Sequence, residues 1–196
     1  MEAPQRYSIP AIVLHWLTAA LILATVIIAW LLDTTDTAAS RNALLAIHKS
    51  IGITIFTLAW IRLGWRIGHA PPGWPVMPPL WQRAAAWMTH VALYLITLTM
   101  PVSGYISAAA RARETTYFGL FTIPQWVSPH RGLATATEQI HEYSSWGLYA
   151  LVSLHLAAVL YHHVVKDDGL LQRMWPKTIG VPAAKDPAEL PVSADY

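Results

Sequence analysis

Histidine and cysteine decide which metals and redox groups a chain can hold, and this one has nine histidines and no cysteine in 196 residues. The missing cysteine excludes disulfides, iron–sulfur clusters, Cys-type zinc sites and the CxxCH motif that attaches haem covalently. Imidazole remains; it is neutral near pH 7 and can ligate iron through one ring nitrogen. His141 and His155 stand 14 residues apart. On a helix that is about 21 Å of rise and nearly four turns, so both rings face almost the same way at two depths. Two metal centres stacked along one helix need such a spacing. With a partner for each, four imidazoles would hold two six-coordinate, non-covalent haems b. Zinc is a poorer fit, because histidines separated in depth make no compact tetrahedral site, and the short-spaced carboxylates of a di-iron bundle are missing. No Walker motif, GxGxxG loop or hydrolase triad signature points to other chemistry.

The elements that must position these rings are long apolar helices. Charged residues are only 12% of the chain and apolar residues 55%, and the mean hydropathy is +0.38. Such a chain cannot cover itself in water, and its long apolar runs exclude disorder. A net charge of +2 without a dense basic run excludes a nucleic-acid stripe. The expectation is an all-α integral membrane protein, a bundle of four transmembrane helices. The spans fall at about 11–32, 44–65, 84–106 and 140–165. The first has 22 residues without a formal charge, about 33 Å as a helix and enough to cross a bilayer. A signal peptide competes for this run, but the run exceeds an ordinary h-region and other spans follow. Lys49 and Arg62 lie toward the ends of the second span and can snorkel. Pro101 and Gly104 predict a kink in the third. The connections fall at 33–43, 70–82 and 107–139, and the tail at 178–196 is expected to be irregular.

Orientation follows from lysine and arginine. With the N-terminus inside, Arg6, Arg62, Arg66, Arg83, Lys166, Arg173, Lys177 and Lys185 lie on the inner side, and Arg41, Lys49, Arg111, Arg113 and Arg131 on the outer, eight against five. That excess puts both termini in the cytoplasm, and in a bacterium the membrane would be the inner one. His48 opens the second span on the outer side as His141 opens the fourth, so the two can share a depth. His15 lies near the inner start of the first span and is a candidate partner for His155. His90, about six residues into the third span, competes for that inner position. A lone intramembrane histidine often makes only an interhelical hydrogen bond, and that reading stands beside the ligand reading for each ring. His162 and His163 lie nearer the inner surface, where haem carboxylates, lipid or water would meet them. His69 and His130 fall in connections and read as solvated, His130 also as a candidate for an outer surface site.

The pattern resembles the cytochrome b561 family, specifically its bacterial four-span diheme branch. The resemblance rests on His15-Trp16 opening the first span, IHKSIG around His48, the series His141-Glu142, Leu154-His155 and His162-His163, and KDDGLLQRMWPK at 166–177. It covers about residues 6–177, a single diheme cytochrome b domain. It implies that His15, His48, His141 and His155 are the haem ligands, paired 15 with 155 and 48 with 141. It also implies quinone-linked electron transfer, and in one bacterial type the oxidation of superoxide with reduction of ubiquinone. Lys49, Arg111, Arg113 and Arg131 would then steer the anion at the outer face, with ordinary interfacial charge or salt bridges to Glu114 or Glu138 as the plainer alternative. Trp126, Tyr117, Phe118 and Phe121 would pack against quinone or haem, or form an aromatic belt. The expected partners are the lipid bilayer, a quinone, superoxide or another electron donor, and a redox protein. Two other functions compete: a cytochrome subunit passing quinol electrons to another redox protein, and a haem-free structural bundle.

Overall fold

The computed structural model describes residues 6–74 and 77–176. Lys177, Lys185 and the 178–196 tail lie outside them. Four long helices, α1 (Ile9–Thr34), α2 (Ala38–Gly68), α3 (Leu80–Ala109) and α4 (Arg131–Leu160), run up and down. Each is long and apolar enough to cross a membrane, α4 together with the π-helical turn Tyr161–Lys166 that extends it. Pro10 in the first turn starts α1, where its missing N–H costs nothing. The Thr37 side chain caps α2 by accepting from the Ser40 amide at 3.2 Å.

All four helices outrun their apolar cores. Only residues 35–37 separate α1 from α2, and α4 begins nine residues before its expected start, because the polar turns at its beginning continue the helix beyond the apolar region. α3 remains helical through Pro101. The 110–130 connection is ordered. It contains an antiparallel hairpin, β1 (Thr116–Tyr117) and β2 (Phe121–Thr122). Its turn has Phe118 at φ 47° and Gly119 at φ 72°, the left-handed pair a type I′ turn requires. Ser50 of α2 holds the hairpin down: its hydroxyl accepts from the Phe118 amide at 2.9 Å and donates to the Thr116 carbonyl at 3.2 Å.

Packing is uneven. α3 and α4 lie closest, then α1 against α2 and α2 against α3, whereas α4 packs closely against neither α1 nor α2. Small residues allow the α3–α4 approach: Ser103, Ser107, Ala108, Ala109, Ala134 and Thr137 are buried there, at the hairpin end of the bundle. At the opposite end three segments are stitched together. The Trp16 indole donates to the Met174 carbonyl at 2.7 Å, the Tyr7 amide to the Arg173 carbonyl at 3.2 Å, and the Arg173 guanidinium to the Gly73 carbonyl at 2.7 Å. Residues 6–16 and 173–175 therefore share one end, here the terminal end. A short helix, α5 (Leu170–Met174), closes it.

Candidate functional site

The wide side of the bundle, between α4 and its neighbours α1 and α2, is bridged by histidines. His15 of α1 and His155 of α4 have ring centres 6.3 Å apart at an interplanar angle of 67°. His48 of α2 and His141 of α4 repeat this at 6.1 Å and 66°. Two imidazoles on opposite faces of one iron, each bonded at about 2 Å, have their ring centres about 6 Å apart. The geometry thus fits an axial pair at each of two depths, with backbone separation left for a flat group between the helices. The Nδ1 atoms of His15 and His48 are buried without a hydrogen-bond partner, an expense that burial imposes unless something else completes the site.

The His141 ring is held from behind. Its Nδ1 lies 2.9 Å from the Met100 carbonyl and 3.5 Å from the Ser103 hydroxyl. Donation to the carbonyl fixes the tautomer and leaves Nε2 free to ligate. Gly104 makes room for the ring: a Cβ there would stand 3.1 Å from two of its atoms. His90 is the third imidazole at the terminal end, its ring centre 5.7 Å from that of His155. His90 is exposed, whereas His15 and His155 are half-buried.

The other expected residues have mostly structural partners. His130 is exposed, as expected of a solvated residue, and also caps α4. Its Nδ1 accepts from the Leu133 amide at 3.0 Å, and its own amide donates to the Ala110 carbonyl at 3.0 Å. His69 stacks on Trp65 at 3.9 Å, and His162, partly exposed, meets Asp168. Arg111 donates to Glu138 and to the Ser107 hydroxyl, tying α3 to α4. Lys49 donates to the Glu114 carbonyl at 2.9 Å. Of the four cations, Arg113 and Arg131 stay exposed. Tyr117 reaches Thr54 of α2 at 3.2 Å, and Trp126 packs edge-on against Tyr105 at 6.0 Å. Phe118 and Phe121 are exposed. The sequence reading missed the roles of Met100 and Gly104, and those of Arg62 and Tyr94, whose charge and ring lie 5.3 Å apart.

A family model described as prokaryotic cytochrome b561 matches residues 6–177. The chain belongs to the prokaryotic cytochrome b561 family. Cytochrome b561 homolog 2 of Escherichia coli K12 is 29% identical over 179 residues, 90% of this chain and 95% of the relative. Cytochrome b561 homolog 1 of the same organism is 29% identical over 175 residues, 88% of this chain and 98% of the relative. A protein of Yersinia pestis named probable superoxide oxidase CybB is 31% identical over 180 residues, 90% and 99% of the two chains. This cytochrome b561 is thus a multi-pass membrane helical bundle of a family that binds haem b and transfers electrons in membranes.

Proposed function

We propose that this cytochrome b561 is an inner-membrane oxidoreductase that moves electrons from superoxide to ubiquinone through two haems b. The observation that carries the reading is the repeated imidazole pair, 6.1 and 6.3 Å between ring centres at two depths of the bundle. His48 and His141 would hold one haem at the hairpin end, and His15 and His155 the other at the terminal end. The haems, when bound, supply one-electron redox chemistry across a medium that excludes free charge. The balance is simple. Two superoxide anions each give up one electron and leave as dioxygen, and ubiquinone takes two electrons and two protons to become ubiquinol.

The chain's own residues orient and select. The Met100 carbonyl and Gly104 set the plane and tautomer of His141. Arg113, exposed just before the hairpin, and Arg131, exposed at the start of α4, attract a small anion, while Glu138 neutralises Arg111. Superoxide as donor and ubiquinone as acceptor are supported by the likeness to the probable superoxide oxidase. Lysine and arginine placement supports a cytoplasmic terminal end.

Stopped-flow mixing with superoxide tests the reading. Haem absorbance changes characteristic of reduction should precede ubiquinol formation, and the rate should fall as salt screens Arg113 and Arg131. Rapid reduction by quinol with no response to superoxide would instead identify a cytochrome subunit serving another redox protein.

A further inference from the structure

The terminal end holds a cavity of about 510 Å³, lined among others by Arg6, Arg62, Arg66, Tyr7 and Tyr94 and by no aspartate or glutamate. Among the described residues the ion pairs are Arg111–Glu138 and His162–Asp168, so neither Arg62 nor Arg66 has a carboxylate there. Arg62 is half-buried within a membrane-crossing helix and lies against the Tyr94 ring at 5.3 Å. A guanidinium withdrawn from water needs an anion or a hydrogen-bond acceptor to offset its desolvation. Arg6 differs, because it donates to the Trp175 carbonyl. The cavity is a built feature, framed by the same stitched segments that join residues 6 and 7 to 175 and 173.

Its position says which anion. Ala11 lines the cavity and lies four residues before His15 on α1; Tyr94 lines it and lies four residues after His90 on α3. Each pair is about one helical turn apart, so the cavity adjoins the imidazole cluster. A haem b carries two carboxylates on one edge of its macrocycle. Planar guanidinium groups match carboxylates with paired, charge-assisted hydrogen bonds.

We propose that Arg62, assisted by Arg66, seats the carboxylates of the haem held at the terminal end. The inference rests on the reading that His15 and His155 hold a haem there. Arg62 and Arg66 are positioning residues: they fix which edge of the macrocycle faces the terminal end, and they neutralise it. A phospholipid phosphate offers similar oxyanion chemistry and is the rival source.

The test measures haem loss from the terminal end to excess apomyoglobin, for protein loaded in haem-deficient cells with either haem b or its dimethyl ester. Arg62→Gln should speed loss of haem b about tenfold or more, the worth of a charge-assisted hydrogen bond. It should leave loss of the ester nearly unchanged, and Arg62→Lys should restore part of the retention. Retention of the hairpin-end haem in every variant shows that the bundle is folded. Equal acceleration with haem and ester overturns the proposal, as does no acceleration with either. A rate governed by phosphatidylglycerol against phosphatidylcholine nanodiscs, and indifferent to esterification, would assign the cavity to lipid phosphate and overturn it too. Wild-type protein with no terminal-end haem would sink the ligand assignment itself, a separate failure.

Discussion

The two ends of the bundle present the same imidazole pair in opposite surroundings. At the hairpin end His141 is fixed by the Met100 carbonyl and by Gly104, small residues draw α3 against α4, and Arg111 is answered by Glu138. Each end has one buried Nδ1 without a partner, that of His48 at the hairpin end and that of His15 at the terminal end; at the terminal end a third imidazole lies beside His155, and Arg62 lacks a carboxylate among the described residues. Both ends are tied by hydrogen bonds within the chain, but the hairpin end answers Arg111 with a carboxylate, whereas the terminal end leaves Arg62 and Arg66 without one among the described residues. Ligand spacing and site electrostatics are separable. Pairs of nearly equal spacing sit in environments that would tune their haems differently through charge and hydrogen bonding.

The largest effects come from removing ligands. Replacing His48 or His141 with alanine should cost about one haem per chain at the hairpin end, and replacing His15 or His155 should cost the other, leaving one six-coordinate haem in each case. Haem quantification with low-temperature spectra separates the two classes. His90→Ala should retain both haems. If it removes the terminal-end haem while His15→Ala does not, the partner of His155 is His90, and the comparison must be redrawn around α3.

A smaller effect is expected at Gly104. Its missing Cβ leaves space for the His141 ring, and a branched side chain there would collide with ring atoms that a single Cβ already approaches to 3.1 Å. Gly104→Val should cost about 1–3 kcal/mol through overpacking. It should also shift the electron paramagnetic resonance signal of the hairpin-end haem by turning its axial ring, with the terminal-end signal unchanged. An equal change in both signals would mean that the two ends are not independently organised.

The four spans were legible because apolar runs of sufficient length have few other structures available. The depths of the histidines were legible from span order; His48 meets His141 at one depth, while at the other both His15 and His90 lie beside His155, so span order alone did not choose between them. Helix ends were harder. Arg131 to Gln139 carries no apolar signal, yet it is helical and capped by His130. Strands of two residues have no detectable period, so the Thr116–Thr122 hairpin lay hidden in a connection. The Arg62 cavity draws on segments around residues 6, 62, 94 and 174. No local pattern records that convergence, and Arg62 by itself reads as a snorkelling charge near a helix end. Arg111 illustrates the converse case: its alternative partner Glu138 was already evident, and tertiary packing selected that contact.

The central claim is that two axial histidine pairs hold two haems within one chain. Pyridine haemochrome analysis against amino-acid-quantified protein, purified intact from haem-sufficient cells, tests it most directly. The account predicts about two non-covalent haems b per polypeptide, both extracted by acidic acetone. A reproducible ratio of about one would contradict it, leaving one of the two imidazole pairs as an interhelical contact without iron.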